Sequence, residues 1–520
     1  MTAPTYAPHP PLQGSARIWG TIALSTATFM NVLDASIANV SLPAIAGDLG
    51  VSPNQGTWVI TSFGVANAIG LPLTGWLSQR FGQVRLFLAS VLLFVFSSWL
   101  CGLAPNMSTL IAMRSVQGFV SGPMMPLAQT LLLSSYPPAM AGIAMALWAV
   151  TVLVAPVMGP LLGGWITDNI YWGWIFFINI PVGIGSAFLT WTIYHKRETQ
   201  IRKLPIDRTG LALLVLSVSS LQIMLDKGKD LDWFHSPEVV ALAIVAAVGF
   251  AFLVAWELTD DHPVVELRLL KVRNFWTGTL AISVGYSLFM GNLVLLPLWL
   301  QQYMGYTATQ AGILLAPMGL LAMVLSPWVG KNVRNFDARA MGTIAFLVFA
   351  LVLWMRTHFN TQADFITVML PTVIQGIAMA FFFIPLSTII LSEVRPEQMA
   401  SASGLSSFAR IVGGSFGTSI AITVWQDRAA MHHAQLSELV NRGNAAANAA
   451  LSNLSAAGVT KEQALLQINR MVDQQSFMLA ANDVFYVSSF VFILLIPLLW
   501  LSHPLKSAGQ ASPEATAGAH

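Results

Sequence analysis

Asp34 is the residue of this 520-residue chain whose surroundings demand a chemical explanation. It stands in TFMNVLDASIANVSLPAI, residues 28–45, with roughly two helical turns of uncharged side chains on either side. A carboxylate at that depth in an apolar helix costs about 2.5–3.5 kcal/mol on insertion scales. A buried cation, a water-filled cavity, or a proton that binds and leaves would offset it, and each implies a pathway rather than a plain anchor. At helical spacing Asn31, Asp34, Ala38 and Ser41 share one face, a polar and small-residue stripe that lipid cannot satisfy. The plainer alternative is a fixed hydrogen-bonding post.

The natural partner is Arg114, which opens RSVQGFVSGP and cannot lose its proton. Its charge would hold Asp34 ionised until another cation competes or the geometry changes, which makes a switchable pair. The alternative is a cation that ties helix ends together or snorkels outward. One turn on, Gln117 and Gly118 add an uncharged hydrogen-bonding group and close packing. Arg410, in SFARIVGGSFGTS, is a second intramembrane cation that could bind an anionic or polar substrate, pair with a carboxylate, or snorkel. Asn31, Gln117, Gln375 and Arg410 are the candidate lining of a substrate cavity. The proton-coupling candidates are Asp34 and Arg114.

Two further stretches serve packing and gating. APVMGPLLGGW puts Pro156, Gly159, Pro160, Gly163 and Gly164 inside one span. The prolines should bend that helix, while Gly159 and Gly163 form a close-approach face. GWLSQRFGQVRLF, with Gly75, Arg80, Gly82 and Arg85, is a short basic turn, either a latch against neighbouring helix ends or a tight loop on the basic side. The adjacent His432 and His433 would point apart on a helix, so no metal is expected there. The single cysteine, Cys101, excludes an internal disulfide. The sequence has no P-loop, zinc motif or nucleophile elbow. No cofactor is therefore expected, and the energy for any transport must come from an ion gradient.

These residues need helices that cross a bilayer to position them. The chain is 55% hydrophobic and 9% charged, where soluble domains carry about a quarter charged residues. This composition predicts an all-α polytopic membrane protein. A window of about 20 residues predicts 14 spans, near 17–42, 55–77, 86–105, 108–134, 142–166, 172–194, 209–226, 237–257, 275–301, 307–330, 340–356, 365–391, 403–425 and 482–502. With both termini cytoplasmic, Lys and Arg concentrate on the cytoplasmic side, and Arg356 falls among the few on the other. RSVQGFVSG recurs as PTVIQGIAM, and Pro72, Gly75 and Phe81 recur as Pro327, Gly330 and Phe336. Such an offset fits two six-helix halves with two helices inserted between them, and parallel halves place a substrate site at their interface.

The expected organisation is a disordered tail over 1–16, a first half over 17–194, a linker with the inserted helices over 195–274, a second half over 275–502, and a tail over 503–520. Residues 1–16 show no signal-peptide pattern, so the first run reads as a retained span. Within the second half, 427–481 is expected as a long extracytoplasmic loop, with a short amphipathic helix behind a Thr460–Gln463 capping box.

Taken together, LDASIANVSLPAI, GWLSQRFGQVRLF, RSVQG and APVMGPLLGGWITDNIYWGWIFFINIP resemble the 14-helix drug:proton antiporters of the major facilitator superfamily. The resemblance covers nearly the whole chain. It implies proton-driven export of hydrophobic drugs and uncouplers from the bacterial inner membrane. It also implies work with a periplasmic membrane-fusion adaptor of the EmrA type and an outer-membrane channel of the TolC type. On it, Asp34 is the proton-linked acid of the first span, Arg114 and Gln117 belong to the fourth-span motif, and Gly159, Pro160, Gly163 and Gly164 form the antiporter motif. The acid that the superfamily usually carries after the second span is Gln79 here. Two rival readings are an exporter of one endogenous metabolite or siderophore, and a non-transporting receptor or scaffold; two buried charges argue against the second.

Overall fold

The computed structural model describes residues 9–202, 205–260, 263–333, 335–441 and 443–504. The expected tails lie largely outside the described residues, as do Lys203, Arg334, Arg442 and Lys506. Long apolar runs leave the backbone no partner but itself, and the chain answers with helices. The first half comprises α1 (Gly14–Asp48), the one-turn α2 (Pro53–Gly56), α3 (Trp58–Gly70), α4 (Thr74–Phe81), α5 (Gln83–Gly102), α6 (Met107–Ser121), α7 (Met124–Ser135), α8 (Ala141–Asn169), the one-turn α9 (Trp174–Phe177) and α10 (Asn179–Tyr194). The insert is α11 (Arg208–Lys227) and α12 (Pro237–Thr259). The second half comprises α13 (Arg273–Tyr303), α14 (Ala308–Asn332), α15 (Ala338–Arg356), α16 (Phe365–Leu391), α17 (Met399–Leu439), α18 (Ala445–Ala456) and α19 (Lys461–Trp500).

Among the described residues, 12 helices are long and apolar enough to cross a membrane, or 13 if α3 and α4, bent by 61°, count as one span. The span expected at 108–134 is present as two shorter helices, α6 and α7, broken at Gly122-Pro123. Arg114, Ser115, Gln117 and Ser121 dilute its apolar run, and Pro123 supplies no N–H to continue it. The α3/α4 break has the same cause in Pro72. The two breaks pack together, since a Cβ at Gly122 would lie 2.6 Å from the Gly70 carbonyl carbon.

Leu12 N–H donates to Ser135 O at 3.0 Å, and His503 N–H donates to Asn274 Oδ1 at 2.6 Å. Each described terminus is thus tied to its own half; Arg202 and Arg395 line one cavity with Gln79 and Glu266 and mark the basic end of the bundle. There the halves touch backbone to backbone. A Cβ at Gly404 of α17 would lie 2.6 Å from Leu71 O, and one at Gly330 of α14 would lie 2.9 Å from the Gly142 carbonyl carbon of α8. Gly75 meets Ser401 in the same way. The recurring Gly75 and Gly330 therefore occupy mirrored places, each pressed on the opposite half. Along one flank α11 bridges α3 and α17: Lys227 Nζ donates to Thr57 Oγ1 at 2.8 Å, and Ser419 Oγ to Leu225 O at 2.7 Å. α12 packs outside it.

Two expectations change. Residues 427–481 are largely helical: α17 and α19 extend past the apolar zone and pair, with α18 at the tip. Trp425 Nε1 donates to Phe477 O at 2.8 Å, and the His432 ring lies 2.9 Å from Asp483 Oδ2. The capping box is present, but the helix it starts runs unbroken into the last span. Arg356 sits inside the second half at 1% exposure rather than in a loop, because Thr372 and Gln375 of α16 receive its guanidinium at 3.2 and 2.6 Å.

Candidate functional site

Asp34 and Arg114 are in direct contact, Arg114 Nη1 donating to Asp34 Oδ2 at 2.6 Å, with side-chain exposures of 0% and 1%. The pair is held from several directions. Gln117 Nε2 and Asn179 Nδ2 donate to Asp34 Oδ1 at 3.2 and 2.7 Å. Arg114 also donates to Val59 O at 3.2 Å and to Gln117 Oε1 at 2.8 Å, and its guanidinium stacks over the Phe63 ring at 4.2 Å. Four elements, α1, α3, α6 and the α9–α10 junction, thus converge on one ion pair. Breaking a buried pair by removing one member costs about 3–5 kcal/mol, because the other charge is left stranded. A proton on Asp34 removes the negative member without any substitution, so this is an arrangement that one proton can destabilise.

Asn179 and Ser98, which accepts from Asn179 at 2.9 Å, were not among the sequence candidates. An amide inside the apolar run IFFINIP was the available signal. Asn31 bonds instead to Ser121 O at 3.3 Å and does not touch the pair. Gln117 and Gln375 each accept from an arginine, Gln117 from Arg114 and Gln375 from Arg356. The repeat in sequence is thereby a repeat in bonding, but no acid stands in the second half where Asp34 stands in the first: Arg356 forms no ion pair among the described residues. Of the four cavity candidates, Arg410 alone lines the small cavity between the halves, together with Gln129, Trp148, Phe383, Ser387 and Ser407.

The proline–glycine stretch joins α8 to α1. Pro160 has no N–H, so the Pro156 carbonyl one turn earlier lacks its helical donor. Ser36 Oγ of α1 supplies one at 3.1 Å. A Cβ at Gly159 would collide with Ser36, and one at Gly163 would lie 2.7 Å from Ile37 Cγ1. Gly164 has only an ordinary neighbour in Val40. The helix runs unbroken through both prolines.

At the basic end, Arg80 stacks on Trp76 at 5.4 Å. Gly82 adopts a φ of 88° that favours glycine. Glu198 accepts from Val84 N–H at 3.0 Å and Arg85 N–H at 2.8 Å, capping α5. Gln79, in the place of the expected acid, hydrogen-bonds Glu266. Glu266 also meets Ser401 and Gln398 across the seam, so an acid is present at this basic turn but comes from the linker. Burial pushes the Glu266 carboxyl above its ordinary value, and the hydrogen bonds only partly offset this.

The sequence profile of the Major Facilitator Superfamily matches residues 24–418. The chain is 50% identical over 500 residues to the multidrug export protein EmrB of Escherichia coli K12, covering 96% of this chain and 98% of that one. It is 49% identical to EmrB of Haemophilus influenzae (95% and 97% covered) and 47% identical to the fatty acid resistance protein FarB of Neisseria gonorrhoeae (96% and 99% covered). The human organic anion transporter MFSD10 superposes with a TM-score of 0.61 at 14% identity, covering 94% of this chain and 100% of that one, a likeness of fold alone. With its apolar helices, paired halves and these relatives, the chain belongs to the Major Facilitator Superfamily, among EmrB-like proteins, and is a multi-pass membrane transporter rather than an enzyme.

Proposed function

We propose that this protein is a proton-coupled exporter of hydrophobic toxic compounds in the bacterial inner membrane, with the basic end facing the cytoplasm. The observation that carries this reading is the sealed Arg114–Asp34 pair at 2.6 Å. A scaffold has no use for two desolvated charges held by so many donors, and the sequence offers no site for a nucleotide fuel. The names of the relatives, multidrug export and fatty acid resistance proteins, support a cargo of hydrophobic molecules.

In the proposed cycle, a proton from the periplasmic side neutralises Asp34 and releases Arg114, Gln117 and Asn179 from it. α1 is then free to shift. Because α1 is joined to α8 through Ser36 and Gly159, and α8 to α14 through Gly142 and Gly330, the shift bears on the seam between the halves. Cargo leaves outward in the protonated state, and loss of the proton to the cytoplasm resets the cavity. An imposed pH gradient across proteoliposomes should drive export by the parent protein and not by Asp34→Asn; gradient-driven export that survives the change would sink this role.

Work with a periplasmic adaptor of the EmrA type and an outer-membrane channel of the TolC type completes the proposal. The helical extension of α17 and α19, tipped by α18, stands on the side away from the basic end and is the surface offered to the adaptor. Deleting residues 444–461 should abolish co-purification with the adaptor, and unchanged co-purification would count against docking there.

A further inference from the structure

Arg410 is the feature that the Asp34 mechanism does not use. It lies on α17, 4% exposed, with its guanidinium 5.0 Å from the Tyr286 ring centroid and 5.8 Å from that of Phe383. Its Nη2 reaches across the seam to Met125 Sδ of α7 at 3.2 Å, and it shares a hydrogen bond with the Tyr286 hydroxyl. A thioether and a phenol are weak acceptors for a group with five N–H donors. Arg410 forms no ion pair among the described residues, whereas Arg114 in the same membrane is given a carboxylate, an amide and a carbonyl.

The cavity beside it adds a second unspent donor. Trp148 Nε1 of α8 is buried and has no hydrogen-bond partner among the described residues, and Trp148 and Arg410 line the same space. A buried cation at this cavity, with an unsatisfied indole N–H on a residue that lines it, calls for an acceptor carrying one negative charge. Phe383 and Tyr286 supply aromatic surface for an apolar body. With one cation present, a singly charged head is neutralised, while a dianionic phosphate would leave a net charge buried. The cavity holds about 10 Å³, room for a single water, so an organic ligand enters only when the halves part and the Arg410–Met125 contact breaks.

We propose that Arg410, assisted by Trp148, is the counter-charge for amphipathic organic carboxylates carried through the cavity between the halves. This rests on the exporter reading and names a substrate class for it. Neutral hydrophobic cargo uses the same aromatic walls without this contact. The selectivity therefore lies in one guanidinium that both halves enclose.

The test uses the full chain in lipid nanodiscs and two probes of matched shape, 1-pyrenebutyrate and its neutral amide 1-pyrenebutyramide, with binding read by tryptophan-to-pyrene energy transfer. The preference for the carboxylate, the ratio of the two Kd values, should fall about tenfold or more in Arg410→Gln and much less in Arg410→Lys. An unchanged ratio in folded Arg410→Gln overturns the proposal, as does an equal loss of ratio in Arg410→Lys. If Arg410→Gln does not fold, Trp148→Phe reads the same ratio: a fall of about threefold supports the proposal, and no change overturns it. Gradient-driven export of the two probes by the parent protein is measured in parallel. Export of neither, with the binding preference intact, would refute the exporter reading and leave the carboxylate site standing.

Discussion

Asp34 shows how much a single buried charge decides at the scale of a residue. Its Oδ1 takes donors from Gln117 and Asn179, and its Oδ2 takes Arg114. Removing Arg114 alone, as Arg114→Met, strands the carboxylate and should lower the apparent unfolding temperature in detergent, by an energy of about 3–5 kcal/mol. The double variant Arg114→Met with Asp34→Asn should recover part of that loss, because no charge is left without a partner. A double variant no more stable than Arg114→Met would show that the pair is not held by its charges. Asn179→Leu deletes one donor to the anion and should cost about 1.5–3 kcal/mol in the same measurement.

Between α1 and α8, a missing N–H on one helix is answered by a hydroxyl on another. Pro160 leaves the Pro156 carbonyl without its helical donor, Ser36 supplies one, and Gly159 leaves room for it to approach. Ser36→Ala should therefore destabilise by about 1 kcal/mol, the lower end of the cost of an orphaned acceptor, because the bond is only partly buried. Adding Pro160→Ala returns a backbone N–H to that carbonyl and should restore most of the loss. A Ser36→Ala loss that Pro160→Ala leaves unchanged would show that the serine acts through something else. The elements themselves were legible in the sequence as apolar runs with caps, since lipid permits only helices there. Pro72 and Pro123 mark the two breaks in the sequence, but that the broken spans pack together at Gly70 and Gly122 was illegible, as was the helical extension over 427–481, whose stability comes from the pairing of α17 with α19.

Across the whole molecule, on the exporter reading, the seam at the basic end must open and close. Gly142 and Gly330 meet there with no space for a side chain. Gly142→Leu should hold the seam open, so that a cysteine introduced at the buried Ala402 reacts faster with an impermeant maleimide applied from the basic side. Glu266 should make the seam pH-dependent. Its carboxyl is raised above the ordinary 4.5 by burial, and it shares a cavity of about 300 Å³ with Arg202, Arg395 and Glu397, while Arg268 pulls it down. Below the ordinary value it is protonated whether the seam is open or closed, and closure carries no penalty. As pH rises towards the raised value the buried form resists ionising, and closure becomes less favourable. Maleimide labelling at Ala402→Cys, corrected for thiolate fraction, should thus quicken with rising pH, and Glu266→Gln should flatten that dependence.

The sequence by itself determined that this chain crosses a membrane many times, predicted two related halves with an insert, and singled out Asp34 and Arg114 as charges that need an explanation. Composition, a window of bilayer thickness and the cost of a charge in hydrocarbon are local quantities that need no coordinates. Only the tertiary structure decided that Asp34 touches Arg114 directly, that Asn179 joins them, that Arg356 is buried rather than looped out, and that Arg410 is left without an acid among the described residues. Each of those depends on which helices become neighbours. That is fixed by close approaches at Gly70, Gly142, Gly159 and Gly330, where the absence of a side chain says that something comes near without saying what.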